Sequence, residues 1–144
     1  MMIVGFNFNK IDVEKKEMVK GKISISNNVS IKNIEQKDLD FGKEKQNALK
    51  FIFEFNSKYE PNVGEIILGG DVLFVGEAKK TKEILDNWKK DKKVPKDVMT
   101  SILNTVLTRC NIQALILSQE VNLPPPVPLP KVRVEGETNK DYSE

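Results

Sequence analysis

Histidine is absent from this chain, and cysteine occurs only once, as Cys110. The absence of histidine excludes His-based acid–base catalysis and the Ser-His and Cys-His pairs that activate nucleophiles. Together with the lone cysteine, it excludes the ligand sets in which proteins usually hold zinc or copper. No disulfide can form within the chain, which suits a reducing compartment. We therefore expect a non-enzymatic binding protein with no catalytic residues, no metal site and no cofactor.

The sequence also lacks an excess of charge of either sign. Its 23 Lys and Arg face 21 Asp and Glu, so the formal net charge is +2. Such a balance creates no general attraction to nucleic acid or to an anionic membrane. The length of 144 residues fits one domain with a modest core. Residues 1–9 alternate in polarity and form no apolar h-region, so we expect no signal peptide.

The first third of the chain shows the period-2 alternation that is typical of β-strands. It predicts a first strand over residues 2–13 and a second over 18–26. Asn27-Asn28 fits a tight hairpin turn, because asparagine tolerates positive φ. A further strand starts at Val29, and the polar residues 35–47 predict a loop.

Two stronger strand patterns follow. In Ala48–Tyr59 an apolar row faces polar residues, and this row consists of Leu49, Phe51, Phe53 and Phe55. In Glu65–Val75 both faces are apolar, which predicts that the strand is covered on both sides. We therefore expect four or five antiparallel strands in a meander, or in a meander with one crossover.

Helical patterns replace the strands after residue 78. Lys79–Lys93 is highly charged, and its only large apolar residues are Ile84, Leu85 and Trp88. This predicts a short helix with a narrow apolar stripe. A long helix is predicted from about Lys96 to Val121, with an apolar stripe that includes Leu103, Val106, Cys110, Ala114 and Leu117, widened by Ile116. The fold class is thus α+β, with a short charged helix and one long helix packed on an antiparallel sheet.

The long helix is unusual because Arg109 is its only charge between Val98 and Gln119. A membrane span is rejected, since Asn104, Arg109, Asn111 and Gln113 lie near the middle of the stretch. The face opposite the stripe instead fits a charge-poor interface between copies of the chain. The residues predicted for this oligomer interface are Asn104, Thr108, Asn111, Ile112 and Leu115.

Four prolines then interrupt regular structure, in the segment Leu123–Pro130 (LPPPVPLP). Prolines disfavour helix and strand pairing and favour an extended conformation. We expect the segment to lie on an apolar surface. Two interpretations of Trp88 stay open: it anchors the short helix to the sheet, or, with Ile84 and Leu85, it forms one wall of an apolar groove whose other wall is the segment from Leu123 to Leu129. The residues predicted to contact an extended hydrophobic segment in such a groove are Ile84, Leu85, Trp88, Leu123, Val127 and Leu129. Residues 1–134 are predicted to form one domain, followed by a flexible polar tail over 135–144.

Three stretches resemble the SecB-like protein-export chaperone family. FIFEFNSKY (Phe51–Tyr59) followed by GEIILGG (Gly64–Gly70) is similar to the paired strands before that family's crossover loop. Val98–Gln119 resembles its long helix, and Leu123–Pro130 resembles its proline-containing link. The resemblance covers residues 2–130. It implies a dimer of dimers in the cytoplasm that acts as an ATP-independent holdase for unfolded polypeptides, with protein export as one of its roles.

Other function classes remain open at this point. Eight lysines against four acids between Lys79 and Asp97, with Trp88 among them, suggest a single-stranded nucleic-acid-binding face. A solvated helix face explains the same charges more simply, because there are only two arginines and no aromatic row between the lysines. A small-ligand or lipid-binding domain is the remaining alternative, and a closed cavity between sheet and long helix would favour it.

Overall fold

The computed structural model describes residues 2–17, 21–41 and 44–130. These form an antiparallel sheet followed by two helices, which confirms the predicted α+β class. The predicted tail, residues 135–144, lies outside the described residues, as does the end of the predicted domain after Pro130. The elements are β1 (Met2–Lys15), β2 (Ser24–Phe41), β3 (Glu44–Glu60), β4 (Gly64–Val75), α1 (Ala78–Asp91) and α2 (Lys96–Glu120).

The strand order in the sheet is β1-β4-β3-β2, and every neighbouring pair is antiparallel. β2, β3 and β4 follow one another as a meander, whereas β1 lies beside β4 at the opposite edge from β2. The connection from β1 to β2 therefore crosses the sheet, in a Greek-key arrangement. Of the two predicted topologies, the meander with one crossover is the one observed.

Two sequence predictions about β2 and β3 were wrong. Asn27 and Asn28 do not form a turn but lie inside β2, opposite Ser57 and Asn56 of β3. Within the predicted loop over 35–47, residues 35–41 and 44–47 are strand instead, because β2 continues to Phe41 and β3 starts at Glu44. Pairing with a long, strongly apolar neighbour overrides the weak strand preference of polar residues, since strand propensity depends on tertiary context.

The core lies between one face of the sheet and the two helices. The alternating row of β3 is buried as the sequence predicted, with Phe51 and Phe55 both 0% exposed. α1 packs on β2 and β3, whereas α2 packs on β1, β3 and β4. Helix α2 contributes Val98, Ile102, Val106, Cys110 and Ala114 to the same core.

The second face of the sheet carries no helix in the described part of the chain. The expectation that β4 is covered on both sides is therefore not met within one chain. Ile67 and Leu73 of β4 are only half-buried on this face. Asp71 is 7% exposed, and its carboxylate lies 3.9 Å from the Lys50 ammonium. This polar pair lies among the aliphatic side chains of the open face.

The buried row of α2 winds around the helix. Its buried residues recur at every fourth position and are Val98, Ile102, Val106, Cys110, Ala114 and Ser118. Because four residues turn an α-helix by about 400°, such a row drifts by about 40° at each step. The prediction that Ile116 widens the buried stripe is wrong for this reason, since Ile116 is 48% exposed. A straight stripe does not follow the surface of a twisted sheet.

Candidate binding groove

A large depression in the described part of the chain lies between the C-terminal turns of α2 and the segment Leu123–Pro130, which we call the proline strap. It has a volume of about 660 Å³ and is lined mainly by apolar atoms. Its lining residues are Leu115, Ile116, Ser118, Gln119, Asn122, Leu123, Pro124, Pro125 and Leu129. We call this depression the strap groove.

Side chains of the sheet hold the strap through its carbonyl groups. The Tyr59 hydroxyl donates a hydrogen bond of 2.6 Å to the Pro124 carbonyl. The Asn27 side-chain amide donates one of 2.8 Å to the Pro126 carbonyl, and the Ser57 hydroxyl donates one of 2.6 Å to Asn27 Oδ1. Proline has no N–H group, so its carbonyl is the only backbone group that the sheet can bind. These bonds fix the position of one wall of the strap groove.

The strap is anchored at its start and is more exposed toward its end. Leu123 is 5% exposed, and its backbone N–H donates to the Ser118 carbonyl at 2.8 Å. Val127 is half-buried. Leu129, near the other end of the strap, is 49% exposed. A rigid wall with an exposed leucine on it is available for contact with another apolar chain.

Burial of Tyr59 raises its pKa to about 12. An unfolded tyrosine has a pKa near 10, so the unfolded chain loses this proton first as the pH rises. The free energy of unfolding should fall between pH 10 and pH 12, by at most about 3 kcal/mol. In Tyr59→Phe the decrease in the free energy of unfolding that is due to Tyr59 should be absent. At neutral pH the free energy of unfolding of this variant should be about 1 kcal/mol lower than that of the wild type.

Urea unfolding of both proteins across this pH range measures the effect. Burial also raises the pKa of the Cys110 thiol to about 12. Cys110 is present in both proteins, so its contribution cancels in the difference. Equal pH dependence of the wild type and Tyr59→Phe would contradict the expectation.

The structure separates the two predicted walls of the groove. Ile84, Leu85 and Trp88 are 0%, 8% and 6% exposed and form the core-facing side of α1. The Trp88 indole N–H donates to Asn33 Oδ1 at 3.2 Å, so the tryptophan anchors α1 to the sheet. Helix α1 lies over Leu49 of β3 and, through the Trp88–Asn33 bond, near Ile52, whereas the strap lies over Tyr59, roughly 23–33 Å further along the strand. Within one chain, the six predicted contact residues therefore do not line a single groove.

The residues predicted for an oligomer interface share the outward side of α2. Asn104 and Thr108 are exposed, and Ile112 is 54% exposed. Asn111 and Leu115 are half-buried. Ile112 and Ile116 are one turn apart, so an exposed apolar ridge on α2 leads to the strap groove. Of the predicted residues, Leu115, Leu123 and Leu129 are the three that line this groove.

Reactive chemistry is sparse among the residues that the structure describes. No group of three or more Asp, Glu or Cys residues there is arranged to hold a metal ion. The Cys110 thiol is fully buried and its raised pKa keeps it protonated at neutral pH, which removes the nucleophilic thiolate. Within the same described residues, neither helix combines the length and the apolar character that crossing a membrane requires.

The sequence analysis missed several residues of the groove. Tyr59, Asn27 and Ser57 hold the strap, but their roles depend on contacts between distant parts of the chain. Gln119 and Asn122 were not singled out because polar residues around the end of a long helix have no distinctive pattern. Tyr59 was the one detectable signal, since a tyrosine that continues a buried phenylalanine row needs a partner for its hydroxyl.

Comparison with known proteins adds no further assignment to this geometry. No protein-family model, no curated protein and no solved structure matches the chain.

Proposed function

We propose that this protein is an ATP-independent holdase that binds unfolded polypeptides in the strap groove. The observation that carries the proposal is an open apolar groove of about 660 Å³ that continues into an exposed aliphatic ridge on α2. Exposed apolar patches that are continuous mark interaction surfaces on proteins. The resemblance to SecB-like chaperones, read from Phe51–Tyr59, Val98–Gln119 and Leu123–Pro130, points to the same function.

The binding mechanism follows from apolar burial. Each Å² of apolar surface removed from water contributes about 25 cal/mol, whatever the sequence that supplies it. A groove with few polar groups therefore accepts many different client segments. Because the strap is fixed by Tyr59 and Asn27, its wall is ordered before the client arrives, which lowers the entropic cost of binding. Several weak contacts along one extended client add up to useful affinity.

Assembly of several copies is part of the proposal. The charge-poor outward side of α2, with Ile112 54% exposed, supports packing between copies of the chain. The resemblance implies a dimer of dimers, with a mass near four times 16.4 kDa. In such an assembly, grooves of different copies become neighbours and can bind one client together.

A small-ligand or lipid pocket is less well supported. That hypothesis requires a cavity between the sheet and α2, where Phe53, Ile102 and Val106 are at most 1% exposed and pack against each other. The strap groove lies beyond this packed region and is open to solvent. An open groove suits an extended chain better than a compact ligand, which proteins usually bury almost completely.

A refolding assay with matched variants tests the holdase function. A slowly folding client is diluted from denaturant, and its aggregation is followed with and without the protein. The wild type should suppress aggregation, whereas Leu129→Asp should require at least about tenfold more protein for the same effect, because a charge in the groove opposes apolar burial. Ile11→Asp is the control, since Ile11 is 50% exposed and Leu129 is 49% exposed.

The solution mass of all three proteins is measured in parallel. Leu129→Asp should keep the mass of the wild type, so that a loss of activity reflects the groove and not the assembly. If the wild type leaves aggregation unchanged, the holdase function is wrong. If both variants lose activity equally, the strap groove is not the client site.

A further inference from the structure

The sheet has two edge strands, and they differ in how well they are protected against pairing. Edge strands expose unpaired N–H and C=O groups, and proteins usually protect them with bulges, charges or proline. β1 has register shifts after Ile3 and after Phe8, which leave Val4 and Asn9 unpaired opposite β4. Its second half carries Lys10, Asp12 and further charges. The β1 edge is therefore irregular and charged.

The first half of β2 has no bulge, no charge and no proline. Ser24–Ile31 (SISNNVSI) contains no charge and no proline. Its pairing with β3 is continuous from Ser24 opposite Glu60 to Ile31 opposite Phe53, and the register shift comes only after Ile31. An antiparallel strand directs the backbone groups of every second residue away from its partner. In the described part of the chain, no backbone hydrogen bond outside the β2–β3 ladder involves this segment.

An apolar row runs along the same segment. The row consists of Ile25, Val29 and Ile31, which point to the helix side of the sheet. Each packs against the core and is partly exposed to solvent. Helix α2 packs on β1, β3 and β4, and α1 packs near Ile34 at the far end of β2. The row is thus left at the margin of the core, and the strap reaches it where Asn27 binds the Pro126 carbonyl.

We propose that an extended client segment adds to the outer edge of β2, along Ser24–Ile31, as a fifth strand of the sheet. An extended peptide backbone is the occupant whose N–H and C=O groups alternate at the spacing of this edge. The client has apolar side chains at alternate positions, which extend the row of Ile25, Val29 and Ile31, and polar ones between them, beside Ser26 and Ser30. This inference rests on the proposed holdase function and adds main-chain bonding to groove contacts.

Three synthetic peptides test this mode of binding. The first alternates Thr and Val over the length of Ser24–Ile31 and has a lysine at each end for solubility. The second and third have the same side chains but carry N-methyl groups on alternate residues, on one backbone edge or on the other. One methylated peptide should bind at least about tenfold more weakly, because it loses the inward N–H groups, and the other should bind like the parent.

Amide hydrogen exchange locates the bound peptide. Amides of Ser24–Ile31 should exchange at least about tenfold more slowly with the parent peptide, whereas those of β1 should keep their rates. Equal binding of all three peptides, or protection at β1 only, would overturn the edge proposal and leave the holdase function intact. The holdase function fails separately, in the aggregation assay.

Other occupants of the edge give distinct results. If the β2 amides of the free protein become protected as its concentration rises, a second copy occupies the edge. If they are protected at all concentrations and lose this protection on removal of residues 131–144, the chain's own end occupies it. Either result overturns the proposal.

Discussion

Gly70→Ala is expected to destabilise the folded chain by about 3 kcal/mol or more, which is a large part of the stability of a domain of this size. Gly70 lies in β4 opposite Phe8, next to the irregularity at Asn9 of β1. A Cβ atom built on Gly70 overlaps the Asn7 carbonyl and comes within 3.0 Å of the Phe53 ring. Neither atom belongs to a flexible side-chain end, so β1 must move away from β4. Urea unfolding measures the loss.

The neighbouring glycine supplies a matched control. A Cβ atom on Gly69 meets Lys10 Cβ at 3.4 Å and Asn9 Oδ1 at 3.7 Å, which are ordinary contact distances. Gly69→Ala should therefore change stability by less than about 1 kcal/mol, and lower freedom of the unfolded chain favours a small gain. If the two variants are equally stable, the close approach of β1 to Gly70 is not a feature of the folded protein.

Phe53→Ala is expected to destabilise the protein by about 3–5 kcal/mol, the usual range for removal of a buried phenylalanine. The Phe53 ring is 1% exposed and stacks on Phe6 of β1, with 5.2 Å between ring centroids. The Phe8 ring meets it edge-on at 6.2 Å, and the Arg109 guanidinium of α2 lies 4.6 Å from the Phe6 centroid. Loss of Phe53 removes the side chain around which β1 and β3 pack.

Phe53→Leu is the control for this prediction, because it keeps an apolar side chain and removes the aromatic contacts. It should cost about 1–2 kcal/mol, which is less than the expected effect of alanine. The two variants are compared by their urea unfolding midpoints, provided that the dependence of the unfolding free energy on urea concentration is the same in both. A cost of under 1 kcal/mol for Phe53→Ala would show that the aromatic cluster does not stabilise the sheet.

Gly70 and Phe53 matter for function because they stabilise the sheet that carries the strap and the β2 edge. β3 is the central connection, since Phe53 packs against β1 while Tyr59 holds the strap. A variant that loosens β3 should therefore weaken client binding through loss of the fold. This is why the tests of function use Leu129 and Ile11, which are exposed and do not support the core.

The sequence by itself determined the class of fold and its strongest elements. The alternation in Ala48–Tyr59 and Glu65–Val75 and the helical period after Lys79 agree with β3, β4, α1 and α2 to within a few residues. Such periodicity is local, because a face that must be buried repeats at the pitch of its own element. The anchoring role of Trp88, one of two readings of that residue, was also accessible from its position on a narrow apolar stripe.

Only the tertiary structure decided which surfaces remain open. β2 is a strand because β3 pairs with it, although Asn27-Asn28 and the polar residues after Glu35 indicate a turn and a loop. Ile116 is exposed because the buried row of α2 follows a twisted sheet. The strap groove lies at the Tyr59 end of β3, because the carbonyls of the strap accept hydrogen bonds from Tyr59 and Asn27. The two hydrogen bonds that hold the strap join residues separated by 65 and by 99 positions in the chain. Such distant contacts leave no local pattern in the sequence, and here they determine the candidate site.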